Sequence, residues 1–170
     1  MEKRLRIVHV MATTGGVKGG LEKHTLELCA ALAQKHEVHL LADHSYADYC
    51  HNDVVFHALN FKQSRFNPLL YWQLFQLINH IQPHIIHAQA GKAASLLRWF
   101  KWLFRHIVFV ATVHGTKKNI KAYASMDGVI AVSEQLAADF ASDKVRVIYN
   151  GSRPAPLLNT SDKAELKQQI

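Results

Sequence analysis

Leu5-Arg6-Ile7-Val8-His9-Val10-Met11, the turn Ala12-Thr13-Thr14-Gly15-Gly16-Val17-Lys18-Gly19-Gly20, and the run from Leu21 to Leu32 together decide the fold. The first segment is short, β-branched and mostly apolar, the pattern of a strand buried on both faces of a parallel sheet. The turn can continue neither a strand nor a helix. Its four glycines permit positive φ and let backbone come close to a ligand. Leu21, Leu28 and Leu32, with Thr25, Cys29 and Ala33 beside them, then recur at helical spacing. A helix that opens on a glycine turn at a strand's end points free N–H groups and a positive dipole end above the sheet. Phosphate suits such a place.

Two sharper readings of the glycines can be tested. No register of Gly15, Gly16, Gly19 and Gly20 supplies G-x-G-x-x-G, although Asp43 stands near the end of the second strand, where a ribose-binding acid is expected. The dinucleotide match is therefore partial. Gly15 and Gly20 have phosphate-loop spacing, but Leu21-Glu22 occupies the place of the required Lys-Ser/Thr, so that reading fails. The simpler alternative is that the glycines only form the turn and bring helix to strand.

Composition sets outer limits. A chain of 170 residues, 49% hydrophobic, is long enough for one well-filled core. Cys29 and Cys50 form neither a C-x-x-C pair nor a disulfide framework, which favours a reducing, cytoplasmic compartment. Met1-Glu2-Lys3-Arg4 runs into the first strand without a signal-peptide h-region, and no apolar run is long enough to span a bilayer. A formal charge of +7 points to an acidic partner: phosphate, nucleic acid or anionic lipid. The twelve histidines do not read as a metal site. His84 and His87 lie three apart on a predicted strand and face opposite ways, as do His36 and His39, and no H-E-x-x-H or Cys/His ligand set exists. Most read as strand and surface residues.

Further strands are predicted at 37–42, 54–59, 84–88, 107–113, 128–132 and 145–149. Asn67-Pro68 gives a cap followed by proline at the first helical position, opening a helix to about Ile81 that stops at Pro83. Other helices are predicted over 91–106, about 117–123, and from a Ser133 cap to about Ala141. Alternation with short links implies an α/β, Rossmann-like, doubly wound parallel sheet of about seven strands, with helices on both faces. Working loops in such a sheet lie at the strands' carboxyl ends: 13–20, 89–92, 114–117, 133–134 and 150–151.

Those ends carry a resemblance. Gly19-Gly20-Leu21-Glu22, followed by Leu28-x-x-x-Leu32 and Glu37-Val38, resembles the first unit of family-4 glycosyltransferases with GT-B architecture. The likeness continues through Pro83-His84-Ile85-Ile86-His87, Thr112-Val113-His114-Gly115, Asp127-Gly128-Val129-Ile130-Ala131-Val132-Ser133 and Val147-Ile148-Tyr149-Asn150-Gly151. It implies a two-domain enzyme that moves a sugar from a nucleotide sugar to an acceptor with retained configuration. Metal is usually not needed, and no cofactor is implied beyond the donor as substrate. The family's second domain binds most of that donor, and nothing after Gly151 matches it. Residues 1–151 are therefore expected to be the acceptor-side N-terminal domain. Residues 152–170 read as a linker, with Pro154 and Pro156, and the start of the missing donor-binding domain. Such a fragment is not expected to catalyse alone.

By the same resemblance, Gly16, Gly19 and Gly20 face the donor pyrophosphate, and His114 lies near the donor sugar and the reacting bond. A neutral imidazole there can hydrogen-bond a sugar hydroxyl or steady the leaving group. Glu22 suits the first turn of a helix and need not be catalytic. In the 91–106 helix, Leu96, Phe100, Leu103 and Phe104 share an apolar face, and Arg98, Lys101 and Arg105 fall on another, beside Trp102, with Trp99 further round. That stripe suits an anionic headgroup layer, or equally a solvated charged face. Lys62 and Arg65 extend the same surface or bind acceptor phosphate. The reading is a glycosyltransferase half working at the inner face of a membrane on a lipid-linked or lipopolysaccharide-type glycan. An NAD-type oxidoreductase domain is the alternative. Nucleic acid is not an expected partner, because no nucleic-acid motif accompanies the basic charge.

Overall fold

The computed structural model describes residues 3–14, 19–115, 120–141 and 143–151. Seven strands form one parallel sheet: β1 (Arg6–Met11), β2 (Glu37–Ala42), β3 (Val54–Ala58), β4 (Ile85–Gln89), β5 (Val108–Val113), β6 (Gly128–Ala131) and β7 (Val145–Val147). Their order is β3-β2-β1-β4-β5-β6-β7, every neighbouring pair parallel. β1, β2 and β4 are buried along nearly their whole length, as mostly apolar strands covered on both faces are, although each carries one histidine: His9, His39 and His87.

The chain travels outward from β1 to β3, then returns beside β1 and travels the other way to β7. Right-handed crossovers put helices made in opposite directions on opposite faces. α1 (Gly20–Ala33) and a 3₁₀ turn (His44–Tyr49) accordingly cover one face, closing a core of Met11, Cys29, Val38, Leu40, Ala42 and Tyr46. α2 (Pro68–Ile81), α3 (Ala90–Leu97), α4 (Phe100–Leu103), α5 (Ile120–Ala124) and α6 (Glu134–Ala137) contribute to the larger core on the other. The switch of direction falls between β1 and β4, so the connections that follow them leave toward opposite faces and a crevice opens outside their carboxyl ends.

Local chemistry sets the element ends. Asn67 Oδ1 accepts from the Leu69 N–H at 2.9 Å, Pro68 opens α2, and Gln82 ends it in the left-handed region at φ 51°. The Ser133 hydroxyl accepts from the Leu136 N–H at the start of α6. In α1 the packed line runs through Leu21, Thr25, Cys29 and Leu32 rather than Leu28. Thr25 buries its hydroxyl by donating to the Leu21 carbonyl at 2.8 Å.

Several expectations need correction. The helix predicted over 91–106 is broken at Arg98-Trp99 into α3 and α4, because Phe100, Phe104 and Ile107 all turn into the core before β5 begins. Leu103, expected on the apolar face, is 54% exposed as a result. α6 and β7 are shorter than predicted, and α5 is described only from Ile120. Gly16 and the expected linker and helix start at 152–170 lie outside the described residues.

Candidate functional site

A cleft of about 940 Å³ opens along the carboxyl ends of the strands. Gly20, the first residue of α1, and His114, just past β5, both line it. The far wall is the segment Lys62 to Arg65, and the β4–α3 junction forms the floor. Gly19 is the exposed residue that precedes α1, so the first N–H groups of that helix face this side of the sheet. A Cβ built at Gly20 would meet nothing within 4 Å, so packing does not demand glycine there. Open space in front of a helix N-terminus is what an incoming anion needs.

The floor was not legible residue by residue. Ala90 holds φ at 70°, a left-handed conformation that costs an L-residue on the order of 1–2 kcal/mol. That turn brings α3 to the cleft at once. A Cβ at the next residue, Gly91, would lie 3.2 Å from the Tyr123 hydroxyl. Lys92 then reaches back to donate to the carbonyls of Phe61 and Gln63, fastening the basic loop to α3. Burial pushes the Tyr123 phenol up to about 12.

His114 belongs to a group of imidazoles packed between α1 and the sheet. Its ring meets His24 edge-on at 5.2 Å, and its Nε2 lies 3.0 Å from Gln89 Oε1. His9 and His87 face each other across β1 and β4 with ring centroids 5.0 Å apart, and His87 Nε2 lies 2.6 Å from Thr112 Oγ1. Burial first, and the neighbouring His24 second, lower both His9 and His114 to about 4. Burial also holds His87 well below its ordinary value, helped by His9, His114 and His24. At neutral pH His114 is therefore a neutral imidazole. His114 is the one the family resemblance singles out; sequence spacing alone reads His9, His24 and His87 as strand and surface residues. The sheet register, invisible in one-dimensional spacing, brings them together.

Lys62 and Arg65 line the same cleft as Gly20 and His114, whereas Arg98 and Lys101 border a separate shallow depression with Trp102 and Arg105. Lys101 is not a free cation: its Nζ lies 2.6 Å from Asp127 Oδ1 and donates to the Ser125 carbonyl at 2.9 Å. Asp43, the ribose-binding acid of the dinucleotide reading, is buried. Its Oδ1 accepts from the Ser45 N–H at 3.2 Å and the Ser45 hydroxyl at 2.8 Å, capping the 3₁₀ turn. Among the described residues no group of three His, Cys, Asp or Glu side chains could hold a metal ion, and no helix is long and apolar enough to cross a membrane.

The model of Glycosyltransferase Family 4 matches residues 18–154, which takes in Gly19 and Gly20, the cleft and His114. The chain belongs to that family. Solved structures agree in fold. Alr3699/HepE from Anabaena, in complex with UDP and glucose, superposes with a TM-score of 0.68 at 20% identity, over 98% of this chain and 50% of its own. A glycosyltransferase from Rickettsia africae ESF-5 gives 0.69 at 19% identity, over 98% and 50%. The apo lipopolysaccharide outer core galactosyltransferase WaaB gives 0.72 at 13% identity, over 91% and 48%. The chain thus spans about half the length of these structures. No curated protein matches it in sequence.

Proposed function

We propose that this family-4 chain supplies the acceptor-side half of a retaining GT-B glycosyltransferase, one wall of a cleft that a second domain closes over a nucleotide sugar. The observation that carries the reading is the meeting of Gly20 and His114 on one cleft at the sheet's switch point. In this reading the glycine turn and the first turn of α1 face the donor pyrophosphate, contributing about 0.3–1 kcal/mol per favourable charge, or up to ~2 when partly buried. His114, neutral at working pH, hydrogen-bonds the donor sugar or steadies the leaving group. Lys62 and Arg65, on the opposite wall, receive an anionic acceptor. The complex of Alr3699/HepE with UDP-glucose supports a nucleotide sugar as donor. WaaB, by its description, supports a lipopolysaccharide-type acceptor.

An anionic acceptor held at a membrane is consistent with the second basic surface, where Arg98 stacks on Trp99 at 4.9 Å and Trp102 is 82% exposed. We place the working enzyme at the inner face of a membrane, and expect the isolated chain to be inactive. The NAD-type alternative is not favoured: residues 18–154 match a glycosyltransferase family, and one oxygen of the Asp43 carboxylate already accepts from Ser45.

The test uses the longer enzyme that contains this chain. Nucleotide-sugar hydrolysis or transfer is measured for wild type and His114→Ala across UDP-, GDP- and ADP-sugars. A fall in kcat of about 100-fold or more is expected if His114 assists at the reacting bond. Full activity in the variant would remove His114 from the mechanism.

A further inference from the structure

Behind His114 runs a polar chain that the proposed function leaves unused. Gln89 ends β4, is 1% exposed, and stands between two histidines from distant parts of the sequence. Its Oε1 lies 3.0 Å from His114 Nε2, and its Nε2 lies 3.3 Å from His9 Nδ1. An amide oxygen accepts and an amide nitrogen donates. The chain is therefore consistent with one pair of neutral tautomers. His114 carries its proton on Nε2 and donates it to Gln89. His9 accepts at Nδ1 and keeps its own proton on Nε2, which is buried and has no partner among the described residues. His87 stays outside this chain, because its Nε2 is held by Thr112.

We propose that Gln89 is a positioning residue. Its buried amide fixes the His114 ring in the Nε2–H tautomer and leaves Nδ1, with a lone pair, to meet a hydroxyl arriving from the cleft. His114 is then an acceptor toward its ligand, which selects the sugar-hydroxyl role proposed above over the leaving-group one. The functional half of this statement rests on His114 contacting substrate, as proposed above; the tautomer does not. The buried amide holds one ring nitrogen and so fixes which one faces outward, a common way in which a second hydrogen bond selects a histidine's working atom. The groups that could disturb it are His24, edge-on to His114 from α1, Glu27, which acts on His24, and His9 and His87 from the sheet.

The experiment is ¹⁵N-edited NMR of the imidazoles in the 170-residue chain at neutral pH. Wild type should show His114 as the Nε2–H tautomer with a slowly exchanging ring proton. In Gln89→Met that proton should exchange about fivefold faster or more, the factor that one lost hydrogen bond supplies. Gln89→Glu keeps the acceptor and adds a negative charge, so it should restore slow exchange and raise the His114 pKa. It also serves where Gln89→Met fails to fold. An Nδ1–H tautomer in wild type, or an unmoved His114 pKa in Gln89→Glu, would overturn the proposal. Full activity of His114→Ala in the longer enzyme, with the wild-type tautomer as expected, would instead overturn the functional reading alone.

Discussion

Gly20 shows how a single position separates structural need from function. It is the first residue of α1, and a side chain there would point into open cleft. Gly20→Ala should leave the melting temperature unchanged or raise it, because alanine restricts the unfolded chain and suits a helix, by about 0.4–1 kcal/mol. If the turn lies against donor phosphate, the added methyl keeps the backbone away, and the KM for nucleotide sugar in the longer enzyme should rise several-fold. An unchanged KM would mean that the turn only joins strand to helix. Gly20 and His114 were singled out in the sequence because each stands at a working end of the sheet within a motif that carries the family resemblance. Gln89 and Lys92 fell within the predicted working loop 89–92, but their contacts were not legible. A glutamine at a strand end reads as any polar residue, and only the pairing of β1 with β4 brings it to His9, 80 positions away. The lysine's role depends on a loop that folds back over it.

Among the elements, α2, with a cap before it and a proline after it, was read closely at both ends, whereas α6, capped by Ser133 but with no stop signal, was read correctly only at its start. α2 begins with Asn67-Pro68 and stops before Pro83, so its boundaries are written locally. The break between α3 and α4 has no proline or glycine to announce it; it arises because the core claims Phe100 and Phe104. That break changes how the basic surface should be probed. Lys101 ties α4 to the residues just before β6 through Asp127 and Ser125, so reversing its charge would set two carboxylates together and alter this local contact as well as the surface charge. Arg98 and Arg105 are exposed beside Trp99 and Trp102. Each basic residue near an anionic surface contributes about 1 kcal/mol, so Arg98→Glu/Arg105→Glu should weaken binding to phosphatidylserine vesicles on the order of 30-fold or more. Binding would be measured by co-sedimentation at fixed ionic strength. Equal binding of wild type and variant, or none by wild type, would make this face a solvated one.

At the scale of the whole molecule, strand–helix alternation was enough for the architecture, because an alternating chain with short right-handed links has few ways to close. What alternation did not disclose is that the switch point gathers neutral histidines inside the protein, and this couples global stability to pH. His9 is fully buried, with its pKa lowered to about 4 from an ordinary 6.5, and His87 is displaced in the same direction. In the unfolded chain both return to their ordinary value. Above about pH 6.5 neither state binds these protons, and their contribution to stability is complete. As pH falls below 6.5 the unfolded state takes up protons that the folded state refuses, so stability drops until pH nears the folded value. The slope is about 1.4 kcal/mol per pH unit for each such histidine. Between pH 6.5 and 5, His9 alone should cost on the order of 2 kcal/mol, with His87 acting in the same sense. Urea unfolding at pH 7.5 should therefore give a clearly higher midpoint than at pH 5, with an unchanged m-value, while midpoints at pH 7 and 8 agree. Equal midpoints at pH 7.5 and 5 would mean that these imidazoles are solvated in the native state, and that the buried row behind His114 does not exist.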